Sequence, residues 1–299
     1  MAGSSTIEQL PAEILQEIFK HSCDFNLPQC SPYIAAKLSS PAMYIVACDY
    51  AFTSDHQRTT SATLQKQLFS RRWMTWAFFR RYLLRDVDPS SCPCWLVLLG
   101  YDEGRNPCHL PIKPTDISCG ADRSRKLSWI KNINCPLPTK LTHGPFTTDK
   151  VQFLRLLLRA TNMSIDRANK EAIRVAARGR VEAIRDHDHD IAYLFSHTRR
   201  LGSAISLNLI KFAIIECDCD RSIVFDLMIS AKESRLSRWN DVELDEWIAR
   251  QESIGNPKGK WLKKKLEELR GGRWPDAESA DYSRSDTLRI PSATFEFPS

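Results

Sequence analysis

The chain has 299 residues, with 42 Lys and Arg against 36 Asp and Glu and a net charge of +6. Such a mildly basic balance does not demand nucleic acid as a partner. The length is that of about two domains, and a hydrophobic fraction of 42% supports a sizeable core. No apolar run follows the first five residues, so no signal peptide is expected. The longest charge-free apolar stretch, 92–100, is too short to span a bilayer. The expectation is a soluble protein of the cytoplasm or nucleus, with no membrane partner and with most of its ten cysteines reduced and buried.

Residues 7–20 read as an amphipathic helix, since Leu10, Ile14, Leu15, Ile18 and Phe19 recur on one face. Pro11 suits a first turn, where its missing N–H costs nothing, and Glu13 sits where the helix dipole favours negative charge. A break follows at Asp24-Phe25-Asn26-Leu27-Pro28. Pro32 opens a second short helix through Ile34, Ala35 and Leu38. Ser39-Ser40-Pro41 restarts a third, with Met43, Tyr44, Ala47 and Ala51 along one side. Residues 7–52 thus read as a compact three-helix unit.

Residues 62–85 predict one long helix. Leu64, Leu68, Phe69, Trp73, Trp76, Phe79, Tyr82 and Leu83 recur at helical spacing, with Arg71, Arg72, Arg80, Arg81 and Arg85 between them. The stretch 86–148 holds half of the sixteen prolines and half of the cysteines, which excludes continuous helix. Within it, 95–99 reads equally as a buried strand or a helical turn. Helices return at 149–160, 167–178, 181–186, 191–197, 207–217 and 222–231. Ile191-Ala192-Tyr193-Leu194-Phe195 and Val224-Phe225-Asp226-Leu227-Met228 have the same pattern, with Leu194 and Leu227 33 residues apart. Each follows an apolar helix and a tight polar turn, as in stacked ankyrin-type helix pairs. The usual Thr-Pro-Leu-His start is absent, so such repeats are degenerate. In 240–270, Leu244, Trp247 and Ile248 form one apolar face and Trp261, Leu262, Leu266 and Leu269 another, with Lys260 and Lys263 to Lys265 expected outside. Residues 271–299 have the composition of a disordered tail.

Leu10-Pro11-Ala12-Glu13-Ile14-Leu15-Gln16-Glu17-Ile18-Phe19 resembles the first helix of an F-box. Leu27 falls in the linking turn, Cys30 and Tyr33 keep a Cys-to-aromatic spacing of three, and Pro41-Ala42-Met43-Tyr44 is similar to the closing Pro-Ala-Leu-Trp. The second helix departs from the family in carrying Ser31-Pro32-Tyr33-Ile34-Ala35-Ala36 in place of a basic, Trp-containing run. The resemblance covers 7–52. It implies docking to a Skp-type adaptor of a cullin–RING ubiquitin ligase, with Leu10, Pro11, Glu13, Ile14, Ile18, Leu27, Cys30 and Tyr33 as the interface. A unit this small cannot bury all its apolar side chains alone, so some remain for a partner. Beyond residue 52, Arg72-Trp73-Met74-Thr75-Trp76 with Phe78-Phe79, and 219–225, resemble filamentous-fungal F-box proteins with degenerate ankyrin-like C-termini. That implies recognition of an unknown substrate protein through a helical stack.

Other chemistries find weaker footing. The Arg/Trp/Phe interleaving of 71–85 could serve nucleic acid, but its aromatics sit at core spacing. Cys92, Cys94, Cys108, Cys119 and Cys135 follow one another at 2, 14, 11 and 16 residues, which lacks a zinc knuckle. Asp186-His187-Asp188-His189-Asp190 has the residue types of a metal site. On a helix its two histidines would face apart, so the segment reads as a polar turn. Gly255-Asn256-Pro257-Lys258-Gly259-Lys260 is one residue short of a phosphate loop and ends on Trp261. No nucleophile-elbow, dinucleotide or metalloprotease motif occurs.

The resulting expectation is a mainly α chain: an F-box-like unit at 7–52, a long helix and irregular Pro/Cys-rich insert at 53–148, an ankyrin-like helical domain at 149–270 and a tail at 271–299. No catalytic residue, metal or cofactor is expected. The alternatives are a helical scaffold without a ligase link and a basic nucleic-acid-binding helical protein.

Overall fold

The computed structural model describes residues 6–22, 24–53, 58–85, 130, 132–202 and 204–275. The predicted segments at 86–129, including Cys92, Cys94, Cys108, Cys119 and the 95–99 run, lie outside the described residues, as does the tail from 276 onward. The fold is mainly α, and the described residues hold no strand. No described helix is long and apolar enough to cross a membrane. Two compact units meet in sequence between Gly179 and Arg180.

The first unit opens with α1 (Ala12–Ser22), α2 (Leu27–Cys30), α3 (Pro32–Leu38) and α4 (Pro41–Thr53). The local chemistry that starts them is visible. Pro32 occupies a first-turn position, and the Ser31 hydroxyl accepts the Tyr33 amide at 3.2 Å. Leu15 and Phe19 of α1, Ile34 and Leu38 of α3, and Met43, Ala47, Cys48 and Ala51 of α4 are buried. Each of the larger side chains contributes about 1.5–3 kcal/mol by leaving water.

The helix predicted at 62–85 is two helices, α5 (Arg58–Ser70) and α6 (Trp76–Leu84). Spacing alone does not show the break, because the apolar periodicity runs through it. Tertiary contacts make it. Lys140 Nζ donates to the carbonyls of Arg71 and Met74, Met74 is buried, and Trp73 stacks on Tyr44. The Thr75 hydroxyl then caps α6 through the Phe78 amide. Of the aromatics of this stretch, Phe69, Trp76, Phe79 and Tyr82 are core while Trp73 and Phe78 are half-buried, and Phe69 and Phe79 pack with Phe52 and with Phe153 of α7 (Thr148–Ala160). Between α6 and α7, an extended stretch is tied down by Leu137 N–H to the Ser164 carbonyl and Asn162 N–H to the Ile133 carbonyl. Gln65, also buried, donates to the Ala51 carbonyl and accepts from the Asn134 amide.

Helices expected separately at 167–178 and 181–186 are one helix, α8 (Lys170–Arg185). Gly179, which falls between the two expected helices, lies inside α8 as a point of close packing.

The second unit continues with α9 (His189–His197), α10 (Leu207–Ile215), α11 (Arg221–Glu233), α12 (Val242–Ser253) and α13 (Pro257–Arg270). Their junctions share a device. α8 ends with His187 at φ 53°, where the His187 amide bonds the Ile184 carbonyl and the Asp188 amide bonds that of Ala183. This is a Schellman close. Asp188 then caps the next helix, accepting the Ile191 amide at 3.1 Å. One residue therefore ends α8 with its backbone and starts α9 with its side chain. Gly255 (φ 72°) and Asn256 do the same between α12 and α13. Between α10 and α11, Asp218 and Cys219 take the left-handed conformation and Asp220 caps. The sequence pattern revealed the first and second of these helix hairpins. The third, α12–α13, was legible only as two apolar faces.

Lys265, expected outside, is wholly buried on α13. Its Nζ lies 3.3 Å from Glu268 and 5.9 Å from the Phe225 ring centroid. The lysine run therefore continues around the helix onto its packed side.

Candidate docking face on the first helices

α1 divides its apolar residues between two directions. Leu15 and Phe19 enter the core. Pro11, Ile14 and Ile18, spaced at three and four residues, share the adjoining flank. On that flank Ile14 is 48% exposed and Ile18 37%. Glu13 is exposed beside them, and Leu10 is half-buried at the approach to the helix.

The neighbouring helices add to this. Tyr33 on α3 is 70% exposed, unusually far for an aromatic ring. Cys30 on α2 is exposed, its thiol donating to the Asn26 carbonyl at 3.4 Å. Leu27 is half-buried at the start of α2. Of the eight residues expected at an interface, six are exposed and two are half-buried, and none belongs to the core.

Two polar residues that the sequence reading passed over hold the helices in register. Lys37 Nζ donates to the carbonyls of Glu8 at 2.7 Å and Leu10 at 2.6 Å. Gln16 Nε2 donates to the Lys37 carbonyl at 3.1 Å. Lys37 stands one turn after Tyr33, so both lie on the same flank of α3. The lysine thus ties that flank to the backbone leading into α1. The i, i+4 pairing of Tyr33 and Lys37 was the available signal.

The basic stretch 71–85 is partly engaged internally. Arg85 makes a two-pronged bond to Asp49 at 2.8 and 3.0 Å and lies over the Tyr82 ring. Tyr82 donates to the same carboxylate at 2.8 Å, and burial, then the Asp49 charge, push its phenol pKa upward.

Of the acidic-histidine segment 186–190, expected as a polar turn, residues 186–188 form the turn and His189 and Asp190 begin α9. Because His187 is left-handed, His187 Nδ1 and His189 Nε2 lie 3.6 and 3.2 Å from one Asp220 oxygen. Among the described residues no three side chains form a metal-ligating group. Of the described cysteines, Cys48, Cys135, Cys217 and Cys219 are buried. Burial pushes the Cys135 and Cys219 thiols up to about 12, which makes both poor nucleophiles.

No known protein family, curated protein or solved structure matches the chain.

Proposed function

We propose that this protein is a substrate-recruiting adaptor of a cullin–RING ubiquitin ligase, acting in the cytoplasm or nucleus and without catalytic residues of its own. The observation that carries the reading is the pair Ile14 and Ile18, held in water on α1 while Leu15 and Phe19 of the same helix fill the core. An ordinary core helix turns its large aliphatics inward. This helix keeps a second apolar flank, and it is the flank that the F-box resemblance assigns to the Skp-type adaptor. Exposed Pro11, Cys30 and Tyr33 extend the apolar character expected of a docking face.

The hairpins of the second unit support a recruiting role for the C-terminal half. Successive helix pairs joined by tight capped turns form a scaffold on which surface residues vary without loss of fold. A target protein held there and a ligase core held on α1 would belong to one chain, which raises the effective concentration of one for the other.

The test is co-purification of the full-length chain with a Skp-type adaptor, alongside Ile14→Asp and Leu10→Ala/Pro11→Ala variants. Stoichiometric capture by wild type, lost in both variants at unchanged helicity, is the expected result. A folded wild-type chain that captures no adaptor would overturn the ligase role and leave a helical interaction scaffold.

A further inference from the structure

A cavity of about 200 Å³ opens within the first unit, lined in part by residues of the three-helix core. Its walls include Phe19, Phe25, Met43, Tyr44 and Trp73. Among the described residues that line it, the one charged group is Arg71. We propose that this cavity binds a small carboxylate with an aromatic or branched apolar body, the body lying among the rings and the carboxylate on the Arg71 guanidinium. The inference stands apart from adaptor docking, which uses the outer flank of α1.

Size is the first argument. An apolar cavity of ~150 Å³ takes up benzene, so this one suits a ring with a short acidic arm. The second argument is the walls. Phe19 meets Phe25 edge-on at 5.9 Å, and Tyr44 stacks on Trp73 at 4.2 Å and 4°. These contacts orient the rings before anything binds, which reduces the cost of ordering them. The segment carrying Arg71 and Trp73 is itself fixed, because Lys140 Nζ holds the carbonyls of Arg71 and Met74.

Charge is the third argument. A guanidinium has five N–H donors. That of Arg71 donates to the Phe25 carbonyl at 3.2 Å and has no acidic partner among the described residues. Phe25 thus orients a cation at an apolar wall with donors to spare for a carboxylate. Such charge-assisted bonds strengthen as water is excluded. A neutral apolar ligand would leave that cation unanswered.

The experiment is isothermal titration of the full-length protein with phenylacetate, phenylacetamide and toluene. For a ligand of about ten non-hydrogen atoms the expected Kd is on the order of 0.1–1 mM. Phenylacetate should bind about tenfold more tightly than phenylacetamide. Ala35→Met, which adds bulk at the cavity wall from a half-exposed position, should abolish the heat. Arg71→Met should remove the preference for the acid while apolar binding persists. No binding by wild type, equal binding of acid and amide, or binding undiminished in Ala35→Met would each overturn the proposal. The acid–amide comparison needs no variant, so misfolding of Arg71→Met cannot obscure it.

Discussion

Gly179, in the interior of α8, lies so close to the carbonyl oxygen of Thr142 that a Cβ built on it would stand 1.9 Å from that oxygen. The neighbour is backbone, so it cannot swing aside as a flexible side chain would. The glycine is therefore a contact surface between the helix and the loop after the 3₁₀ turn Thr139–Leu141.

Gly179→Ala is a sharp test because two effects oppose each other. On an exposed helix the change would stabilise by roughly 1 kcal/mol through propensity. Here overpacking against backbone should win, giving a net loss of about 1–3 kcal/mol in urea unfolding. A stabilised variant would mean that the loop and helix separate readily.

The two flanks of α1 should respond differently to truncation. Leu15 has no exposure, so Leu15→Ala should cost about 2–5 kcal/mol. Ile14→Ala, at a half-exposed position, should stay within about 1 kcal/mol of wild type. Thermal unfolding of both variants decides it. A large loss from Ile14→Ala would make that side chain core and undercut its role in docking.

Lys265 and Glu268 form a buried pair, so removing one partner should be worse than removing both. Glu268→Leu should cost about 3 kcal/mol by weakening the pairing of a cation that has no contact with water. The double variant Lys265→Met/Glu268→Leu should lie closer to wild type, because it also removes the buried charge. Denaturant titrations of the wild type, both singles and the double complete the cycle.

The His189–Asp220 contact predicts a pH dependence with a definite sign. The hydrogen bond to Asp220 raises the His189 pKa above its ordinary 6.5, against the opposing effect of burial. For Asp220, burial acts to raise the pKa, but His189 and the amides of Ile223 and Ser222 hold it below its ordinary 3.8. The histidine contribution is complete below 6.5 and disappears as pH rises through the raised folded value. The aspartate contribution is present above 3.8 and disappears as pH falls through the lowered value. Both act together between those limits. The pair is partly exposed and screened, so His189→Gln should lower stability by only a few tenths of a kcal/mol in that window. The loss should vanish in alkaline solution. A deficit that grows with pH would contradict the pairing.

Local patterns were legible where they depended on neighbours in the sequence. The amphipathic character of α1 followed from spacing, but spacing put Ile14, Leu15, Ile18 and Phe19 on one face, and only the structure divides them into core and flank. The turn within 186–190 and the hairpin of α10 and α11 followed from polar residues that end and cap helices. Six of the proposed interface residues are exposed.

By itself, then, the sequence determined that the chain is mainly α and where most helices begin. Only the tertiary structure decided the interruption at 71–75, the unbroken run of α8 through Gly179, the burial of Lys265, the meeting of two histidines on Asp220, and the cavity beside Arg71. The physical reason is common to all five. Helical periodicity and caps arise from residues a few positions apart, whereas these features depend on what faces them across the fold: Lys140, the Thr142 carbonyl, Glu268 with Phe225, Asp220, and the Phe25 carbonyl.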